Sequence, residues 1–104
     1  MATAYVILGN ATPAAAATST LVTGSTNGSI VSSFNVCNKG GTTDTIRVAL
    51  TKSGGSAYYA YYGFNVPANS SIRETPGWTL ASGDTITVFS TTGNTDFIAT
   101  GTTL

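Results

Sequence analysis

The sequence predicts an all-β fold: one antiparallel β-sandwich, jelly-roll or immunoglobulin-like, of about seven or eight short strands. Three observations predict it. Short runs rich in Val, Ile, Thr, Tyr and Phe recur along the whole chain. Clusters of Gly, Asn, Ser and Pro separate them at roughly 8- to 12-residue intervals. No stretch requires a helix: Ala14 to Ala17 could start one, but Pro13 and the following Thr18-Ser19-Thr20 limit it to a turn.

Each element has its own warrant. Tyr5-Val6-Ile7-Leu8 is an apolar run closed by Gly9-Asn10, a first strand that is buried or lies at a partner surface. A loop or short strand surrounds Leu21-Val22, and Thr23 to Gly28 is a turn cluster. Ser29 to Asn38 is a strand with Ile30, Phe34 and Val36 on one face, and Val31 and Cys37 on the other with Ser33 and Asn35. Thr45 to Thr51 alternates cleanly, with Ile46, Val48 and Leu50 inward and Thr45, Arg47, Ala49 and Thr51 outward. These two are expected to pair as a hairpin through Gly40-Gly41-Thr42-Thr43.

Lys52 to Ser56 breaks the chain before an aromatic strand, Ala57 to Val66. Strict alternation puts Tyr58, Tyr62 and Phe64 in the core and Tyr59 and Tyr61 on the opposite face. Ser71 to Glu74 reads as a short edge strand, and Trp78-Thr79-Leu80 follows the Pro76-Gly77 turn. Thr85 to Ser90 and Asp96 to Thr100 are the last two strands, joined by a hairpin turn at Thr92-Gly93-Asn94.

At 104 residues the chain forms a single domain, 1–104, with residues 1–20 as a candidate N-terminal arm. Its charge is scarce. Four basic and four acidic side chains make up 8% of the residues, and histidine is absent; an ordinary domain carries about 25%. Acid–base, metal and phosphate chemistry draw on such groups, so an enzyme is not expected, and no cofactor or metal site is assigned. Net charge is zero and Lys39, Arg47, Lys52 and Arg73 are scattered, which argues against nucleic acid as a partner. Cys37 is the sole cysteine, so no internal disulfide forms, and no histidine stands by to activate it. The start lacks a basic, apolar signal sequence and no window reaches a membrane span of about 20 residues. A calcium site from Asp44, Asp84 and carbonyls lacks an acid-dense loop.

Two surfaces stand out as contact candidates. One is the opening run Tyr5, Val6, Ile7 and Leu8, an arm or augmenting strand at a subunit contact, with Arg47 and Arg73 as specific charged contacts. The other is a stacking platform for carbohydrate built from Tyr59, Tyr61 and Trp78.

Several segments, in this order, resemble a family of small structural proteins of tailed bacteriophages, cyanophages among them. They are Met1 to Gly9, Ser33 to Gly40, Thr45 to Ala49, Tyr59 to Tyr62, Val66 to Asn69 and Thr79 to Val88. Where that family has a basic, proline-containing loop, this chain has Lys52-Ser53-Gly54-Gly55-Ser56. The resemblance implies a β-sandwich component of the virion, made in the host cytoplasm and carrying no catalytic residues. Within that context a neutral, Thr-rich sandwich without active-site chemistry suits repeated surface contacts, so the leading expectation is a capsid decoration, or cement, protein that contacts copies of itself, as a trimer, and the major capsid protein. The alternative is a tail-fibre or baseplate domain that meets other tail proteins and binds host-surface glycan.

Overall fold

A computed structural model describes residues 5–104. They form nine strands: β1 (Val6–Ala11), β2 (Ala17–Thr23), β3 (Ser29–Asn38), β4 (Asp44–Thr51), β5 (Ala57–Val66), β6 (Ser70–Glu74), β7 (Trp78–Leu80), β8 (Thr85–Ser90) and β9 (Thr95–Thr103). Sheet A runs β1-β9-β3-β6, with β7 also on β3; sheet B runs β2-β8-β4-β5. Every pairing is antiparallel.

The pairs are nested. β4 lies on β5, β3 on β6 and β7, β2 on β8, and β1 on β9. The chain is therefore one long hairpin rolled into two sheets, the order of a jelly roll rather than of an immunoglobulin domain. That order corrects two expected hairpins. β3 and β4 lie in different sheets, and so do β8 and β9. Their turns, Lys39 to Thr43 and Thr91 to Asn94, carry the chain across the end of the sandwich. Residues 6–20, expected as an arm, are built into the sandwich as β1 and most of β2. Residues 1–4 of that arm lie outside the described residues.

The core is the space between the inner faces. Val31, Phe34, Val36, Phe97 and Ala99 of sheet A meet Val22, Ile46, Val48, Ile86 and Val88 of sheet B, all buried. The inward set on β3 differs from strict alternation: Val31 is buried and Ile30 faces outward. A bulge explains this. Val31 pairs with Gly101 and Ser33 with Thr100, so Ser32 is an extra residue and the facing flips across it. Leu21 is likewise extra on β2, which lets Leu21 and Val22 both bury. Leu8 is extra on β1, beside the same rung of β9 as Ser32. Strand β9 can sit between two bulged neighbours because position 101 is glycine. A methyl group there would lie 1.8 Å from the Ile30 carbonyl oxygen.

Buried polar groups close one end of the sandwich. The Asn38 amide donates to the carbonyls of Thr42 (2.8 Å), Val66 (3.1 Å) and Pro67 (3.3 Å), and its oxygen accepts from Gly40 N–H (2.9 Å). Asp44, fully buried, accepts from the Ser90 and Thr95 hydroxyls and from the amides of Thr91 (3.0 Å) and Thr92 (3.1 Å). Burial pushes the Asp44 carboxyl up, but the donors from Ser90, Thr95, Thr92 and Thr91 outweigh it and hold it below its ordinary value. Asp84 lies at the far end of β4, accepting from Ser53 N–H and Ala81 N–H (both 2.9 Å). The two carboxylates are thus separated by the length of a strand and share no site.

Asp44→Ala should lower the free energy of unfolding by about 3 kcal/mol, because four donors lose a charged acceptor inside the fold. The folded-state carboxyl lies below its unfolded value, so its stabilisation is present above about pH 4 and lost as the pH falls through the folded-state value. Urea midpoints measured between pH 6 and pH 2 should fall in that window for the parent chain, and less steeply for Asp44→Ala. Gly101→Ala should cost about 1–3 kcal/mol through the clash with Ile30. Gly41→Ala, which meets no atom within 4 Å, should stay within about 0.5 kcal/mol of the parent.

Candidate functional site

The site is the outer face of sheet B. Two adjacent rungs of paired residues cross it. The first is Thr18-Phe89-Arg47-Tyr62, and the second is Thr20-Thr87-Ala49-Tyr59. Residues directly opposite in an antiparallel pair share a face, so all of these project away from the core. The Arg47 guanidinium lies between two rings, 4.6 Å from the Tyr62 centroid and 4.7 Å from the Phe89 centroid. Tyr59 meets Tyr62 edge to face, with centroids 4.9 Å apart and planes at 77°.

Strand β5 presents these tyrosines because it is bulged twice. Ile46 pairs with Phe64 but Arg47 with Tyr62, so Gly63 is extra, and its φ of 70° suits glycine. Val48 pairs with Tyr61 but Ala49 with Tyr59, so Ala60 is extra too. The two slips place Tyr59 and Tyr62 together on the outside and turn Tyr61 inward. This corrects the expected assignment of Tyr62 to the core with Tyr58 and Phe64. Tyr58 and Phe64 are on the inward side, yet both are exposed, because β5 is the edge of its sheet.

The expected stacking trio is not brought together. Tyr61 and Trp78 are half-buried and each packs on Phe34, at 5.7 Å edge to face and 5.2 Å stacked. Burial, and then the nearby Glu74 carboxylate, push the Tyr61 hydroxyl above its usual pKa. Tyr59 alone of the three is on the outer face. Its neighbours there are Tyr62 and Phe89. Phe89 was legible, since it alternates with the inward Ile86 and Val88; Tyr62 was hidden by the bulges.

The remaining contact candidates lie elsewhere. Tyr5, Val6 and Ile7 are exposed at the free edge of sheet A, Tyr5 at 72% and Ile7 at 63%, while Leu8 packs against the core. Arg73 is exposed on β6, opposite Asn35 on the outer face of sheet A.

Between the two rungs is a depression of about 40 Å³, walled by Arg47, Phe89, Tyr59, Thr18 and Thr87 and floored by the small side chain of Ala49. Two larger hollows are present. One, of about 370 Å³, is lined by Asn10, Thr12, Lys39 and Asp96. Its charges are already satisfied, since Asp96 accepts from Thr12 Oγ1 at 2.6 Å and pairs with Lys39 at 3.1 Å. The Thr12 hydrogen bond leads in holding the Asp96 carboxyl below its ordinary value, with Lys39 adding to it against a partial burial cost. The other, about 270 Å³, is lined by Leu50, Tyr58, Leu80 and Asp84. There the Ser53 and Ala81 amides hold the Asp84 carboxyl below its ordinary value. Among the described residues no three His, Cys, Asp or Glu side chains cluster.

Fold and surface together define a jelly-roll domain with one aromatic–arginine face. No protein-family model, curated protein or solved structure matches the chain.

The stacked arginine is measurable directly. A double-mutant cycle on Arg47→Gln and Tyr62→Leu should give a coupling of about 0.5–1 kcal/mol in urea unfolding, and raising the salt concentration should reduce it only slightly.

Proposed function

We propose that the chain is a structural protein of a tailed-phage virion, a capsid decoration protein that stabilises the shell through repeated contacts with copies of itself, as a trimer, and with the major capsid protein. It is made in the host cytoplasm and resides on the particle. The observation that carries the reading is the free edge of sheet A. There β1 offers unpaired backbone groups beside exposed Tyr5, Val6 and Ile7. β1 carries neither charge nor proline, and the Leu8 bulge confines the regular open stretch to Val6 and Ile7. An edge of this kind suits strand addition by a neighbouring subunit. The jelly roll recurs in viral shells and in lectins, which agrees with the reading by analogy of fold only. The family resemblance supplies the phage context, and the scarcity of titratable groups supports a role without catalysis.

A second reading, a tail-fibre or baseplate domain that binds host-surface glycan, is favoured by the outer face of sheet B. Exposed Tyr59 and Tyr62, set edge to face, give an apolar corner in which a sugar ring stacks on one tyrosine and abuts the other.

Tyr5→Ser with Ile7→Lys alters the edge while leaving Leu8 and the core in place. The double variant should keep the parent's free energy of unfolding within about 0.5 kcal/mol yet lose co-sedimentation with capsids. Unchanged capsid occupancy would sink the edge contact. Quantitative mass spectrometry of purified virions should find the chain in shell-like copy number; a handful of copies per particle would favour the tail reading.

A further inference from the structure

We propose that the outer face of sheet B binds a carboxylated sugar, a uronic or sialic acid residue of a glycan. Arg47 holds the carboxylate, and Tyr59 and Tyr62 form the stacking surface. The inference rests on the glycan reading and adds the charge of the ligand.

The first observation is an uncompensated charge. Lys39–Asp96 is the sole ion pair among the described residues. Asp44 and Asp84 spend their oxygens on hydroxyl and amide donors, and Glu74 lies beside Tyr61 at the β5–β6 side of the sandwich. Arg47 therefore has no carboxylate within the chain. The second observation is its placement. Two rings, with centroids 4.6 Å and 4.7 Å from Cζ, hold the guanidinium, and its N–H groups make no hydrogen bond to the described residues. A planar fork held in place matches a carboxylate with little further ordering.

The third observation is shape. The depression beside Arg47 holds about 40 Å³. That is room for roughly three water-sized groups, about the three heavy atoms of a carboxylate and too little for a sugar ring. The ring would lie above it against Tyr59, with the perpendicular Tyr62 ring at its edge; the two are 53% and 66% exposed. Cross-strand packing alone accounts for the contact of Arg47 with its neighbours. It does not account for the gap that Ala49 leaves between Thr87 and Tyr59. One guanidinium on a chain of zero net charge is too little for a polyanion such as nucleic acid.

The test uses the full chain titrated by calorimetry with oligosaccharides ending in glucuronate or in N-acetylneuraminate, with the methyl esters of both, and with a neutral glucose-terminated control. The acids should bind about tenfold or more tightly than their esters, the range of a bidentate charge-assisted pair. Arg47→Gln should abolish that difference and Arg47→Lys should restore only part of it. Tyr59→Leu, which leaves both rings that hold Arg47 in place, should weaken acid and ester alike. Urea unfolding confirms that each variant is folded before its affinity is read. If acid and ester bind equally, or if Arg47→Gln still discriminates, the carboxylate assignment is overturned while the glycan reading stands. If no sugar binds, both fall; concentration-dependent dimerisation lost in Arg47→Gln would then assign the face to a second copy. The glucuronate and N-acetylneuraminate arms separate the two sources of the carboxylate.

Discussion

The buried carboxylate of Asp44 is the constraint on which the rest of the sandwich depends. It sits at the first residue of β4, in sheet B, and accepts from Thr95, at the first residue of β9, in sheet A. Ser90, the last residue of β8, donates to the same carboxylate. Thr95 also pairs with Asn38, whose amide gathers the carbonyls of Thr42, Val66 and Pro67. One connected set of polar groups therefore fixes where β3 ends, where β4 and β9 begin and where β5 turns away. A buried polar network raises stability only when each member is satisfied, and no buried side-chain nitrogen or oxygen among the described residues lacks a partner. The turns at this end can be glycine-rich and irregular because side chains, rather than the turns themselves, hold the strands in place.

Element positions were largely legible in the sequence. The strands at 29–38, 57–66 and 85–90 fall where the apolar runs and turn clusters put them. Pairing was not. Lys39 to Thr43 and Thr91 to Asn94 have the composition of hairpin turns, and local chemistry is the same whether a turn returns to its own sheet or crosses to the other. What distinguishes them is distant: the Asp44 carboxylate receiving Thr91 and Thr92 across the end of the fold.

Facing was legible only between bulges. On β4, unbulged, alternation puts Ile46 and Val48 inside and Arg47 outside, as observed. On β3 and β5 one extra residue inverts the pattern, and a bulge at Ser32 or Ala60 has no mark in the sequence beyond a small side chain. Gly63 is the exception, a glycine within an aromatic run. The candidate site was half visible for the same reason: Arg47 and Tyr59 stood out, Tyr62 did not. The sparse charge takes on a sharper meaning in this setting. Thr and Ser cover most outward positions, so a single arginine on a sheet face is an isolated electrostatic feature rather than one of many.

The nested strand order also sets a schedule. Sheet A is centred on β9, which lies between β1 and β3, so its partners are made long before it is. Until residues 95–103 leave the ribosome, β1 and β3 have no common neighbour, and the apolar side chains of Val31, Phe34 and Val36 lack Phe97 and Ala99 to cover them. Sheet B can close around the local β4–β5 hairpin once β8 is made, whereas sheet A waits for β9. Folding of such a chain is governed by the search for distant pairings and proceeds in roughly milliseconds to seconds rather than microseconds. During that interval β1 is an exposed apolar strand with two free edges. Association of copies before the roll closes would capture the same strand that the finished domain keeps at its rim, which makes the timing of β9 a control on misassembly.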